Sequence, residues 1–209
     1  MPHQRLDALL TETLDAMERA GRLKGKESVI AAVVPPAGSR GPRFRIAGEG
    51  ERLFLRMNSN GYLGLSLARQ LIEAEEQAAR AYGVGPGAVR FISGTWGPHV
   101  ALERRLAAFH GREAAMIFSS AYATVMGTLP PLITDETVVI SDELNHNCII
   151  NALRLARPKE KHVYAHLDLA ALDAQLKAAA GTCRRAIVVT DGIFSMRGDH
   201  APLDEIMAL

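Results

Sequence analysis

From Ala114 onward, short and wholly apolar runs alternate with helix-length segments, and this alternation constrains the fold more than any other feature. Ala114–Ser119 (AAMIFS), Thr137–Ser141 (TVVIS), His162–Ala165 and Ala186–Thr190 (AIVVT) read as strands. Tyr122–Ile133 (interrupted by Pro130-Pro131), Asn147–Ala156, Leu167–Ala180 and Pro202–Leu209 read as the helices between and after them. Strands without polar alternation are covered on both faces, and strands alternating with helices lie parallel. The expected fold class is α/β, a three-layer αβα arrangement around a mostly parallel sheet.

Upstream the pattern differs. Leu6, Leu9, Leu10, Leu14, Met17 and Leu23 recur at near-helical spacing, and a breaker cluster of Pro35, Pro36, Gly38, Gly41 and Pro42 follows. Arg43–Ile46 and Arg52–Met57 read as two strands of a hairpin around Gly48-Glu49-Gly50. Leu67–Tyr82 and His99–Gly111 read as helices, with the glycine-rich Gly83–Gly87 between them as a turn-rich connector. The expected organisation is a helical arm with a β-ribbon over residues 1–60 and the α/β domain over residues 61–209.

Composition excludes several function classes. The chain has 24 basic and 23 acidic residues, so no net field draws it to nucleic acid or to an anionic membrane. No apolar run nears the ~20 residues of a membrane helix. Asp7, Glu12, Asp15 and Glu18 in the first segment argue against a secretory or transit leader. Cys148 and Cys183 are far apart and in no metal-type spacing, which fits a reduced, cytoplasmic protein with no metal site.

In open parallel sheets ligands bind beyond the carboxyl ends of the strands, so the residues just after each strand are the informative ones. Ser119-Ser120-Ala121-Tyr122 opens a helix whose first N–H groups could hold a phosphate, although capping by either serine is the simpler account. His146, in SDELNH, could titrate near neutrality, stack on an aromatic ligand or sit in solvent. Ser195, in DGIFSM, is not a nucleophile elbow; it is a ligand donor or a turn serine. Asp142 and Glu143 are adjacent carboxylates that point apart, for which a solvated loop is the simpler account.

Four segments taken in order resemble one family. MNSNGYLGLS (Met57–Ser66), RFISGTWGPHVALE (Arg90–Glu103), SDELNHNCII (Ser141–Ile150) and TDGIFSMRGDHAPL (Thr190–Leu203) are similar to the α-oxoamine synthases, pyridoxal-phosphate enzymes of fold type I. The wording of the second and third segments is most like the glycine C-acetyltransferase branch. The resemblance implies a Claisen-type condensation of glycine or another small amino acid with an acyl-CoA, in a homodimer. It implies that the backbone at Ala121 and Tyr122 holds the pyridoxal 5'-phosphate phosphate group. It further implies that His146 stacks on the cofactor ring and orients substrate, that Ser195 bonds the phenolic oxygen, and that Asn60 lies near the substrate carboxylate across a dimer interface. Ala121 stands where the family has Gly or Cys, and Arg197 where it has Asp.

The lysines are Lys24, Lys26, Lys159, Lys161 and Lys177, and none lies in a family-like Schiff-base motif. In the family that lysine, with an Asp-x-x-His segment, follows the region of Thr190–Leu203. The chain is therefore expected to be the N-terminal part of such an enzyme, inactive by itself and with an exposed sheet edge. The alternatives are one half of a split enzyme and a non-catalytic partner subunit.

Overall fold

The computed structural model describes residues 2–209, which divide into two compact units, one ending at Gly85 and one beginning at Pro86. This division falls later in the chain than the boundary expected between residues 60 and 61.

In the first unit, helix α1 (Pro2–Arg19) carries Leu6, Leu9, Leu10, Leu14 and Met17 on an apolar stripe that is about half exposed. Strand β1 (Ile30–Val34) pairs antiparallel with β2 (Arg43–Ile46), Val34 opposite Arg43 and Ile30 opposite Ile46. The expected hairpin is thus corrected: the partner of β2 lies before the Pro-Gly cluster, not after it. Arg52–Met57 contributes a single bridge, in which Phe44 and Phe54 exchange N–H···O bonds of 2.9 and 2.8 Å. The apolar run before Pro35 extends β2 on one side, and only Phe54 comes close enough on the other. Helix α2 (Arg69–Tyr82) completes the unit, close to its expected range.

The second unit opens with a single wide helical turn, Arg90–Gly94, and helix α3 (Gly97–Phe109). A Cβ on Gly94 would stand 1.9 Å from the carbonyl oxygen of Ala88, so only glycine lets the turn close. Arg90 forks onto the Glu103 carboxylate at 2.5 and 3.1 Å, and Glu103 Oε1 also accepts the Ile117 N–H at 3.0 Å. These bonds hold the Glu103 carboxyl far below its ordinary 4.5, at about 2, with Arg90 the largest cause.

Ala114–Ser119, expected as a strand, is not one: it pairs with no strand among the described residues. Its apolar pattern serves a different contact. The Phe118 ring lies against helix α4 (Ala121–Leu132) where Gly127 leaves room, since a Cβ there would stand 3.0 Å from Phe118 Cε1.

The remaining elements follow the expected alternation: β3 (Thr137–Asp142), α5 (Asn147–Leu155), β4 (Glu160–Tyr164), α6 (Leu169–Ala179), β5 (Arg185–Val189) and α7 (Leu203–Ala208). The three strands form a parallel sheet in the order β4-β3-β5. Its middle strand is buried at all six positions. Period-two alternation splits β3 between two cores. Val139 packs with Ile149, Leu153 and Ile133 beneath α4 and α5, while Val138 and Ile140 pack with Tyr164, Leu172 and Ala179 beneath α6. Ile140 and Leu172 are fully buried, each worth roughly 1.5–3 kcal/mol in apolar transfer. The register sets Ser141 opposite both Val163 and Val189, so the strands end at one level and the loops after them share one rim. Among the described residues, no helix is long and apolar enough to cross a membrane.

Candidate active site

Asn145 ties the rim together. It is 3% exposed, and its amide nitrogen donates to Ser141 Oγ at 3.0 Å and to the Val189 carbonyl at 2.7 Å. Its amide oxygen accepts the Asp191 N–H at 2.8 Å. One side chain therefore links the loop after β3 to the end of β5. Asp191 answers by accepting the His146 N–H at 2.6 Å.

His146 is the N-cap of α5. Its Nδ1 accepts the Cys148 N–H at 3.1 Å and lies 3.0 Å from Cys148 Sγ. An accepting Nδ1 carries no proton, so this geometry selects the tautomer protonated at Nε2. The ring is oriented by the helix it caps.

His146 and Ser195 line the same cleft, of about 410 Å³, with Asn145, Asn147, Asp191, Phe194 and Arg197. Two of the expected site residues are thus brought together from segments far apart in sequence. Ala121 and Tyr122 open α4, where Ser120 caps by accepting the Ala123 N–H at 3.0 Å. The first N–H groups of a helix have no intrahelical acceptor, which leaves those of Ala121 and Tyr122 available. The Tyr122 hydroxyl accepts from Asn151 Nδ2 at 3.2 Å, which joins the start of α4 to α5, the helix His146 caps. Asn60 lies in the first unit.

Asp142 departs from its expected setting. It is 2% exposed, so it belongs to no solvated loop. Its Oδ1 accepts the Leu144 N–H at 2.8 Å, its Oδ2 accepts the Leu167 N–H at 3.0 Å, and His166 Nδ1 lies 3.0 Å from Oδ1. Glu143 does point away, accepting the His166 N–H at 3.0 Å. The other nitrogen of His166, Nε2, lies 3.0 Å from Asp199 Oδ2, and Arg197 Nε pairs with the same oxygen at 2.7 Å. Hydrogen bonding to Asp142 first, and then to Asp199, pushes the His166 pKa up despite its burial. The bond from His166 is likewise the largest cause holding Asp199 down. Burial, and then the charge of Asp142, pushes the Tyr164 phenol up. Sequence reading passed over Asn145, Asp191, His166 and Asp199. The one sequence signal for Asn145, Asp191 and His166 is position, since each stands in the few residues after a strand; Asp199 lies well past the end of β5 and has no such signal.

His146 and Ser195 thus line one cleft at the ends of a parallel α/β sheet whose middle strand is buried. The chain belongs to the family described as "Aminotransferase class I and II", which matches residues 53–209. Its relatives within that family are α-oxoamine synthases. It is 40% identical over 205 residues to the mitochondrial 2-amino-3-ketobutyrate coenzyme A ligase of Homo sapiens, covering 98% of this chain and 46% of that protein. It is 43% identical over 170 residues to 8-amino-7-oxononanoate synthase 1 of Bacillus velezensis, covering 81% of this chain and 42% of that protein. Among solved structures it is similar to a serine palmitoyltransferase from S. paucimobilis with PLP and myriocin bound. That match has a TM-score of 0.81 and 25% identity, and it covers 98% of this chain and 49% of the other. The chain spans about half the length of the curated relatives it matches.

Proposed function

We propose that this polypeptide contributes the cofactor-holding part of a pyridoxal-phosphate-dependent α-oxoamine synthase. The reading is that of an acyltransferase joining glycine or another small amino acid to an acyl-CoA, in the manner of a glycine C-acetyltransferase and as a homodimer. The observation that carries it is the cleft lined by both His146 and Ser195 at the carboxyl ends of a parallel sheet.

When bound, the cofactor supplies an electron sink for the α-carbon of the amino acid. The chain's own residues hold and orient it. The N–H groups of Ala121 and Tyr122, with the positive end of α4, suit a phosphate. His146, its ring fixed by the Cys148 N–H, offers a face to the cofactor ring and to substrate. Ser195 offers a hydroxyl to the phenolic oxygen. Asn60 is assigned to the substrate carboxylate.

No lysine is among the residues lining the cleft. Lys159 bonds the Thr182 carbonyl, Lys161 lies near the start of β4, and Lys177 pairs with Asp173 on α6. The lining residues therefore act by non-covalent holding alone.

Pyridoxamine phosphate tests the holding role without covalent chemistry. Calorimetric titration of the full chain should give saturable binding, weakened several-fold to about tenfold in Ser195→Ala and in His146→Ala. Absence of saturable binding, or unchanged affinity in both variants, would overturn the reading.

A further inference from the structure

We propose that His166 is a positioning residue for Ser195: its imidazole bridges Asp142 at the end of β3 to Asp199 in the 194–199 turn, and so sets where the Ser195 hydroxyl stands in the cleft. The proposal rests on the reading of Ser195 as a cofactor-holding residue.

The turn is closed at its two ends. The Phe194 N–H donates to the Asp199 carbonyl at 2.9 Å, and the Gly198 N–H to the Phe194 carbonyl at 2.7 Å. Between these anchors Ser195 and Met196 are exposed, Met196 at 96%, so the ends determine the position of the middle. His166 grips both ends. Its Nε2 meets the Asp199 carboxylate, and its ring stands edge-on to Phe194 at 4.4 Å and 88°. Phe194 is 2% exposed and directly precedes Ser195.

The grip is anchored on the sheet. His166 Nδ1 reaches Asp142, whose side chain is wholly buried, and the His166 N–H reaches Glu143. Leu167, the next residue, is held at φ 59°, a left-handed conformation that is unfavourable for a β-carbon-bearing residue. Its N–H in that conformation donates to Asp142 Oδ2. The chain adopts an unfavourable backbone where it delivers two consecutive residues to one carboxylate.

The charges facing His166 are Asp142 from β3, Glu143 at its own amide, and Asp199 with Arg197 from the turn; Tyr164 of β4 neighbours Asp142. With a carboxylate on each ring nitrogen, both nitrogens must donate, which only the imidazolium can do. When the ring loses a proton, Asp142 keeps the Leu144 and Leu167 N–H groups and Asp199 keeps Arg197. No carboxylate is stranded, so the loss falls on the bridge. The His166 pKa is raised above its ordinary 6.5, so the bridge is complete below that value and is lost as pH rises through the raised one.

Amide hydrogen exchange on the full chain, corrected for intrinsic rates at each pH, tests this. The Phe194 and Gly198 amides should lose protection as pH rises, while the Val139 and Ile140 amides of β3 keep theirs. His166→Asn, which retains reach to Asp142 alone, should exchange about tenfold faster at Phe194 and Gly198 already at low pH. Asp199→Asn, which keeps an acceptor oxygen but removes one charge, should move the loss of protection to lower pH. His166→Asn should also weaken pyridoxamine phosphate binding as Ser195→Ala does. Unchanged exchange in the turn, or equal acceleration throughout β3 and the turn, overturns the inference. So does equal pyridoxamine phosphate affinity in His166→Asn and wild type. If wild type does not bind the ligand at all, the reading of function fails, and the exchange comparison still decides whether His166 positions the turn.

Discussion

Replacing Asn145 by alanine tests the link on which the rim depends. The substitution deletes three hydrogen bonds at once, of 3.0, 2.7 and 2.8 Å. Ser141 Oγ has another partner, the Asp142 carbonyl at 3.2 Å, and loses little. The Val189 carbonyl and the Asp191 N–H lose the side-chain partner that each had across the loop. Val189 is 7% exposed, so water reaches its carbonyl poorly; Asp191 is only part-buried, so water partly compensates there. A buried group left unsatisfied costs about 1–3 kcal/mol. The full cost at Val189 and a fraction at Asp191 give a loss of roughly 3 kcal/mol. Urea unfolding followed by circular dichroism measures it. With a slope of about 2 kcal/mol per M, the midpoint should fall by about 1.5 M at unchanged slope. Asn145→Asp is the sharper probe, because it keeps an oxygen for the Asp191 N–H but turns a carboxylate oxygen toward the Val189 carbonyl; it should be no less damaging than alanine. A loss below about 1 kcal/mol for both variants would refute the account of Asn145 as the link.

Two further outcomes follow from the start of the second unit. Gly94→Ala should destabilise by at least about 2 kcal/mol in the same urea assay, since its Cβ would meet backbone rather than a yielding side chain; a neutral result would mean that the Arg90–Gly94 turn is not closed this way. Because the Glu103 carboxyl is held at about 2, the stability it contributes is present above its ordinary 4.5 and lost as pH falls toward about 2. Glu103→Gln should flatten that acid limb, and an identical limb in the variant would exclude Glu103 as its source.

Much of the α/β unit was legible because apolar strands without polar alternation leave a plain trace. TVVI lies in β3, which is buried throughout, whereas AIVV lies in β5, which is only partly covered, so the pattern marked both strands but overstated the burial of the flanking one. The same logic placed His146 and Ser195 after their strands, and both line the cleft. It failed at Ala114–Ser119, because an apolar run does not say whether its partner is a strand or a helix face; here Phe118 meets α4. It failed at β1, because ribbon pairing depends on what lies across the turn. Asp142 was misjudged for a related reason. Its partner His166 is 24 residues away and that residue's second partner, Asp199, a further 33, and no local spacing encodes a bridge of that kind.

The strand order β4-β3-β5 also bears on when the cleft comes into being. β3 comes first in the chain and stands in the middle, while β5 comes last and docks on its far side. The wall that carries His146 follows β3, and the wall that carries Asp191 and Ser195 follows β5. The Asn145–Asp191 bond that joins them closes a loop of 46 residues. Docking of β5 against β3 therefore brings the two walls together, so a partly folded chain that has paired only β3 with β4 carries His146 without its cleft.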